Sequence, residues 1–194
     1  MIQSVCVYCA SSNRSSPVYL EAAARLGRIL AENGITIVYG GSSLGSMGRL
    51  AAAALEAGGK VIGVLPRFMD DLEWGHRALS ELRIVDDIHE RKRVMLELSD
   101  AAIALPGGCG TLEELFEAIT WKRLGLYFGP VVLVNVGGFF DPCIELLNRC
   151  VDERFMDEKH RAMWSVAGDP EGVMEVLRSA AEWSRNARDF AALR

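Results

Sequence analysis

Apolar residues fall along this chain in two alternating rhythms. Short continuous apolar runs at residues 4–9, 35–39, 60–65, 101–105 and 130–136 have the length and composition of buried strands. Between them lie stretches whose apolar positions recur every three or four residues, the spacing of a helix with one buried face. The pattern predicts helices over residues 17–33, 47–57, 88–98, 115–124, 142–154 and 171–183, with two further short strands at 82–85 and 164–167. The punctuation agrees. Ser16-Pro17 reads as an N-cap and first helical residue, Gly34 ends that helix, Gly58-Gly59 stop the alanine-rich second one, and Asp169-Pro170 open the last.

Continuously apolar strands joined through helices predict an α/β protein, a parallel sheet covered by helices on both faces. Sites in such sheets open beyond the carboxyl ends of the strands. With 194 residues, one domain is expected, taken as residues 1–184 with 185–194 as a tail free to fray. No repeat, low-complexity tract or linker interrupts it. The longest irregular stretch, residues 67–80, is a candidate lid or edge of the site.

Composition narrows the function classes. Half the residues are apolar and 24% are charged, as in a water-soluble globular chain. The net charge of −5 argues against a dedicated nucleic-acid surface but leaves room for a local basic pocket. No apolar run approaches the length of a membrane span, and the strand-like start carries no charged leader, so neither a membrane association nor a signal peptide is expected. Five cysteines (Cys6, Cys9, Cys109, Cys143 and Cys150) form an odd set without framework spacing, which fits the reducing cytoplasm. Cys6 and Cys9 make a C-x-x-C, yet residues three apart on a strand face opposite sides, so ordinary buried thiols are expected. His76, His89 and His160 complete no metal pattern, and no metal is expected.

Two glycine-rich turns follow predicted strands and could line one crevice. The first, Gly40-Gly41-Ser42-Ser43-Leu44-Gly45-Ser46-Met47-Gly48, is neither a dinucleotide fingerprint nor a P-loop. The plain alternative is a tight strand–helix turn. The second is Pro106-Gly107-Gly108-Cys109-Gly110-Thr111-Leu112-Glu113-Glu114. A glycine turn opening a helix aims free backbone N–H groups at one point, where the helix dipole favours an anion, and glycines let a phosphate approach. Glu114 then stands within one helical turn, an arrangement suited to holding a phosphorylated sugar and acting on it. Thr111 and Glu114 also read as a T-x-x-E capping box, and the two roles are compatible.

The helix at 88–98 supplies a third signal. Arg91 falls on the face of Ile88, Met95 and Leu98, where a buried cation needs an anionic partner; an internal salt bridge and a ligand contact both fit. Glu90, Arg93 and Glu97 share another face and read as a solvated charge ladder. Lys92 is assigned to neither face. Ser11 and Ser12 follow the first strand and could join the crevice, whereas nothing intrinsic marks Glu73 in the irregular stretch.

Pro106 to Glu114 together with His89-Glu90-Arg91-Lys92 resemble the paired PGGxGTxxE and Arg-Lys motifs of the Lonely Guy family of cytokinin-activating phosphoribohydrolases, whose members have also been called lysine decarboxylases. The resemblance runs from Ser4 to about Met156. It implies a Rossmann-like, doubly wound fold, a homodimer with its site near the subunit interface, and no cofactor. It implies hydrolysis of the N-glycosidic bond of a nucleoside 5′-monophosphate, a small-molecule partner, with release of free base and ribose 5-phosphate. Carried onto this chain, Arg91 and Glu114 are the catalytic pair. Lys92, Gly107, Gly108, Cys109, Gly110, Thr111, Leu112, Glu113 and Thr120 border the nucleotide, joined by Gly41 and Ser42 of the first turn. Glu73 aligns with a substrate-binding acid. Cys109 occupies the motif's free position, often an aromatic in relatives. A nucleotide carrier or sensor without catalysis is the rival reading. An NAD(P) oxidoreductase lacks its fingerprint here, and a true lysine decarboxylase lacks a pyridoxal phosphate motif.

Overall fold

The computed structural model describes residues 2–72 and 75–191. The apolar runs become strands β1 (Ser4–Tyr8), β2 (Thr36–Tyr39), β3 (Val61–Pro66), β4 (Glu81–Val85), β5 (Ala101–Ala104), β6 (Val131–Val134) and β7 (Ser165–Ala167). They alternate with helices α1 (Pro17–Glu32), α2 (Gly45–Glu56), α3 (Arg67–Asp70), α4 (Ile88–Glu97), α5 (Cys109–Arg123), α6 (Asp141–Asp152) and α7 (Val173–Ser179). The sheet has the order β4-β3-β2-β1-β5-β6-β7, and every neighbouring pair of strands is parallel.

Two-residue periodicity divides the core. Val5, Val7, Ile37, Tyr39 and Ile103 face α1, α2 and α7, while Cys6, Tyr8, Val38, Ala102 and Ala104 face α4, α5 and α6. Cys6 and Cys9 accordingly lie buried on opposite faces. The doubly wound, Rossmann-like expectation is met. The chain runs outward from β1 to β4 and then crosses back to lay β5 beside β1. That reversal parts the connecting loops and opens a crevice above the carboxyl ends of β1 and β5.

Three segments depart from the sequence reading. Residues 67–80 contain α3, and an antiparallel bridge between Ser42 and Gly75 ties this stretch to the first glycine turn. The last helix stops at Ser179 because Trp183 is drawn into the interior, where its indole N–H donates to the Lys122 carbonyl at 2.6 Å. The described part of the tail docks rather than frays: Ala187 is fully buried, and Arg123 Nε donates to the Ala191 carbonyl at 2.8 Å. Residues 180–191 thereby strap the carboxyl end of α5.

Helix α4 is closed by a motif the charge-ladder reading overlooks. Asp87 caps it by accepting from the Glu90 N–H at 2.8 Å, and the Glu90 carboxylate accepts in return from the Asp86 N–H at 2.8 Å. The ladder exists as well, with Arg93 lying 3.8 Å from both Glu90 and Glu97.

Candidate active site

A cavity of about 300 Å³ lies above the carboxyl ends of β1, β2, β3 and β5. The loop after β1 contributes Cys9, Ala10, Ser11 and Ser12; the first glycine turn and α2 contribute Gly40, Ser42 and Met47. Leu65 and Met69 come from the end of β3 and from α3, Arg91 from α4, and Gly108, Gly110, Thr111 and Glu114 from the start of α5. Leu65 and Met69 were not singled out from the sequence, although they stand at a strand's carboxyl end where such sites form.

Other nominated residues lie around this cavity rather than in its lining. The Gly41 carbonyl accepts from the His76 N–H at 2.8 Å. Gly107 is pressed against Thr111, whose Oγ1 would lie 2.2 Å from any added Cβ. Cys109 is exposed, Leu112 packs against the α4–α5–α6 core, and Thr120 is exposed farther along α5. Lys92 and Glu113 form an ion pair with each other. Glu73 lies outside the described residues.

The two glycine turns look alike in sequence and behave differently. At α2, the Gly45 N–H donates to the Asn13 side chain at 2.8 Å and the Met47 N–H to the Ala10 carbonyl at 3.1 Å. Two of its first-turn donors are thus taken by the protein itself. Helix α5 begins at Cys109, and no side chain caps it. The capping-box reading fails here: Thr111 and Glu114 both lie inside the helix, and Glu114 turns toward Arg91. First-turn N–H groups have no acceptor within their own helix. A Cβ added at Gly108 or Gly110 would meet nothing within 4 Å, so the protein's own packing does not demand these glycines. The bare amino end of α5 therefore faces the cavity, and its free N–H groups and helix dipole favour an anion there.

Arg91 is 8% exposed and held in place by the ends of two strands. Its Nε donates to the Val64 carbonyl at 3.0 Å and its Nη2 to the Gly40 carbonyl at 2.8 Å. Only glycine leaves room for this, since a Cβ at position 40 would fall 1.8 Å from Nη2. Arg91 Nη1 stands 3.7 Å from Glu114 Oε1, an ion pair without a hydrogen bond. Burial pushes the Glu114 carboxyl from 4.5 up to about 7, with Arg91 and Lys92 pulling down and Glu113 and Glu117 pushing up. The Cys9 thiol in the cavity wall is driven upward by burial and stays neutral.

This carboxyl makes a testable contribution to stability. The folded protein keeps the proton to about pH 7, whereas the unfolded chain releases it near 4.5. Its contribution is fully present below pH 4.5 and is lost as pH rises through 7. Urea titrations should show stability falling by roughly 2 kcal/mol between pH 5 and 8 on this account. Glu114→Gln should remove that slope; an unchanged slope in the variant would assign it to another group.

A family model described as a possible lysine decarboxylase matches residues 47–177. A cytokinin riboside 5′-monophosphate phosphoribohydrolase of Rhodococcoides fascians is 41% identical over 178 residues, spanning 91% of this chain and 90% of that protein. The chain belongs to the phosphoribohydrolase family. The rice phosphoribohydrolase LOG is 46% identical over 157 residues, 81% of this chain and 65% of that one. The probable rice phosphoribohydrolase LOGL1 is 40% identical over 187 residues, 96% and 82% of the two chains. The molybdenum cofactor carrier protein of Chlamydomonas reinhardtii superposes with a TM-score of 0.71 at 23% identity, covering 93% of this chain and 98% of that one. That likeness is one of fold.

Proposed function

We propose that this phosphoribohydrolase relative hydrolyses the N-glycosidic bond of nucleoside 5′-monophosphates, cytokinin ribotides among them. Water adds its hydroxyl to the anomeric carbon and its proton to the departing base, leaving ribose 5-phosphate. One observation carries the reading: the uncapped, glycine-floored amino end of α5 stands a single helical turn from a buried carboxyl beside Arg91.

In this reading the 5′-phosphate accepts hydrogen bonds from the N–H groups at the start of α5. The ribose lies over Glu114, and the base rests against Met47, Leu65 and Met69, the apolar side of the cavity. Loss of the base builds positive charge on the ribose, as in glycoside hydrolysis. The ionised Glu114 carboxylate stabilises that charge. Two carbonyl anchors hold the Arg91 cation where it orients Glu114. The exposed side of α5, with Phe116, Thr120 and Leu124 at four-residue spacing, supports a homodimer built on that helix. No helix among the described residues is long and apolar enough to cross a membrane. The unpaired cysteines support a place in the cytoplasm.

The test uses the purified protein with AMP, isopentenyladenosine monophosphate and the two parent nucleosides. Free base and ribose 5-phosphate are expected from the monophosphates, with kcat/KM for the nucleosides lower by about 100-fold or more, since charge-assisted hydrogen bonds to phosphate are lost. Equal cleavage of nucleosides would overturn the phosphate cradle. Tight binding of nucleotide with no product would favour the carrier or sensor instead.

A further inference from the structure

Arg91 and Lys92 are consecutive on α4, both are buried, and their side chains diverge. Arg91 reaches the strand ends and the cavity. Lys92 turns to α5, where its Nζ bonds Glu113 Oε1 and lies 3.2 Å from Glu117 Oε2. These carboxylates are four residues apart and so share one side of the helix. The lysine side chain is 4% exposed, against 56% for Glu113 and 24% for Glu117, so a buried ammonium draws in two partly solvated anions. Lys92 is absent from the cavity lining.

We propose that Lys92 is a positioning residue: without touching the nucleotide, it clamps α4 to α5 through Glu113 and Glu117 and so sets the placement and charge of Glu114. The inference rests on the phosphoribohydrolase reading above. Glu114 directly follows Glu113 and precedes Glu117 by three positions, so any roll of α5 moves all three carboxyls together. The carboxyl stands 3.7 Å from the guanidinium, just beyond hydrogen-bond reach. A small roll one way collapses it onto Arg91, and a roll the other way withdraws it from the ribose. Charge acts in the same sense. Lys92 offsets one of the two flanking anions, and without it both would oppose ionisation of a carboxyl that burial already disfavours.

The experiment compares wild type, Lys92→Gln, Lys92→Arg and the triple variant Lys92→Gln/Glu113→Gln/Glu117→Gln. In Lys92→Gln, kcat for isopentenyladenosine monophosphate should fall about tenfold or more while KM stays within about threefold, because transition-state geometry is lost and ground-state contacts are not. The rising limb of kcat/KM should move to higher pH by about one unit. Lys92→Arg, which keeps the charge, and the triple variant, which removes the anions, should both return the limb toward its original position. A KM raised about tenfold with an unmoved limb would overturn the proposal and put Lys92 on the nucleotide. Unchanged kcat and limb in Lys92→Gln would overturn it as well. The Glu114 carboxyl is also titrated directly by carbon-13 NMR in each protein, and its midpoint should rise in Lys92→Gln. That reading separates the two inferences: wild type without turnover on any nucleotide defeats the phosphoribohydrolase reading, while an unmoved midpoint defeats the clamp.

Discussion

Glu114→Gln should abolish base release, lowering kcat by about 10³-fold or more, the scale seen when a preorganised charge-stabilising group is removed. Glutamine keeps the volume and the planar head of glutamate, so Arg91 remains held by the Val64 and Gly40 carbonyls. What disappears is the negative charge that the transition state needs and the ground state does not. Nucleotide affinity should therefore change little, which equilibrium dialysis with AMP can verify. The variant also carries a stability signature of opposite sign. Above pH 7 the wild type holds a buried carboxylate at a cost, and the amide carries no such charge. Glu114→Gln should thus be more resistant to urea than wild type at pH 8 and close to it at pH 5. Wild-type kcat/KM should rise with pH through about 7 and level off as Glu114 ionises. Turnover unchanged in the variant, or a wild-type profile that falls through this range, would remove the carboxylate from its role.

How much of this was legible in the chain depended on whether a feature is local. Strand and helix periods are local, so the alternating architecture, the opposite facing of Cys6 and Cys9 and the inward turn of Arg91 all follow from spacing. The return of β5 to the side of β1 is not local, and it is what places α5 opposite the loop carrying Ser11 and Ser12. The two glycine turns could not be ranked from their residues. What separates them is Asn13 and Ala10, brought from another loop to occupy two of the first-turn donors of α2. Helix α5 starts six residues before its apolar periodicity because Gly108 and Gly110 carry no hydrophobic signal and poor helix propensity. The periodic pattern also ran past Ser179, where burial of Trp183 against Lys122 outweighs continued helix. For Lys92, sequence placed a cation beside Arg91 but could not supply its partners, which belong to a helix about twenty residues on.

Gly110→Ala should stabilise the protein while disabling it. Position 110 lies in the first turn of α5, outside the positive-φ region, and a Cβ there has no protein atom within 4 Å. Nothing in the fold resists alanine, and its higher helix propensity should add about 0.5–1 kcal/mol, measurable as a higher urea midpoint. The same methyl group enters the cavity at the mouth of the anion cradle. There it holds the phosphate away from N–H groups whose charge-assisted bonds contribute roughly 1.5–3 kcal/mol each. Loss of one such bond predicts kcat/KM for AMP or isopentenyladenosine monophosphate lower by about 10- to 100-fold. The parent nucleosides, lacking the phosphate, should be affected far less. Opposite signs for stability and activity exclude the ordinary explanation that the variant is merely damaged. They would mean that glycine is kept at position 110 for something the protein itself does not contain, a ligand oxygen at the end of α5. If Gly110→Ala instead loses stability, or keeps full activity on nucleotides, the phosphate does not sit on these N–H groups.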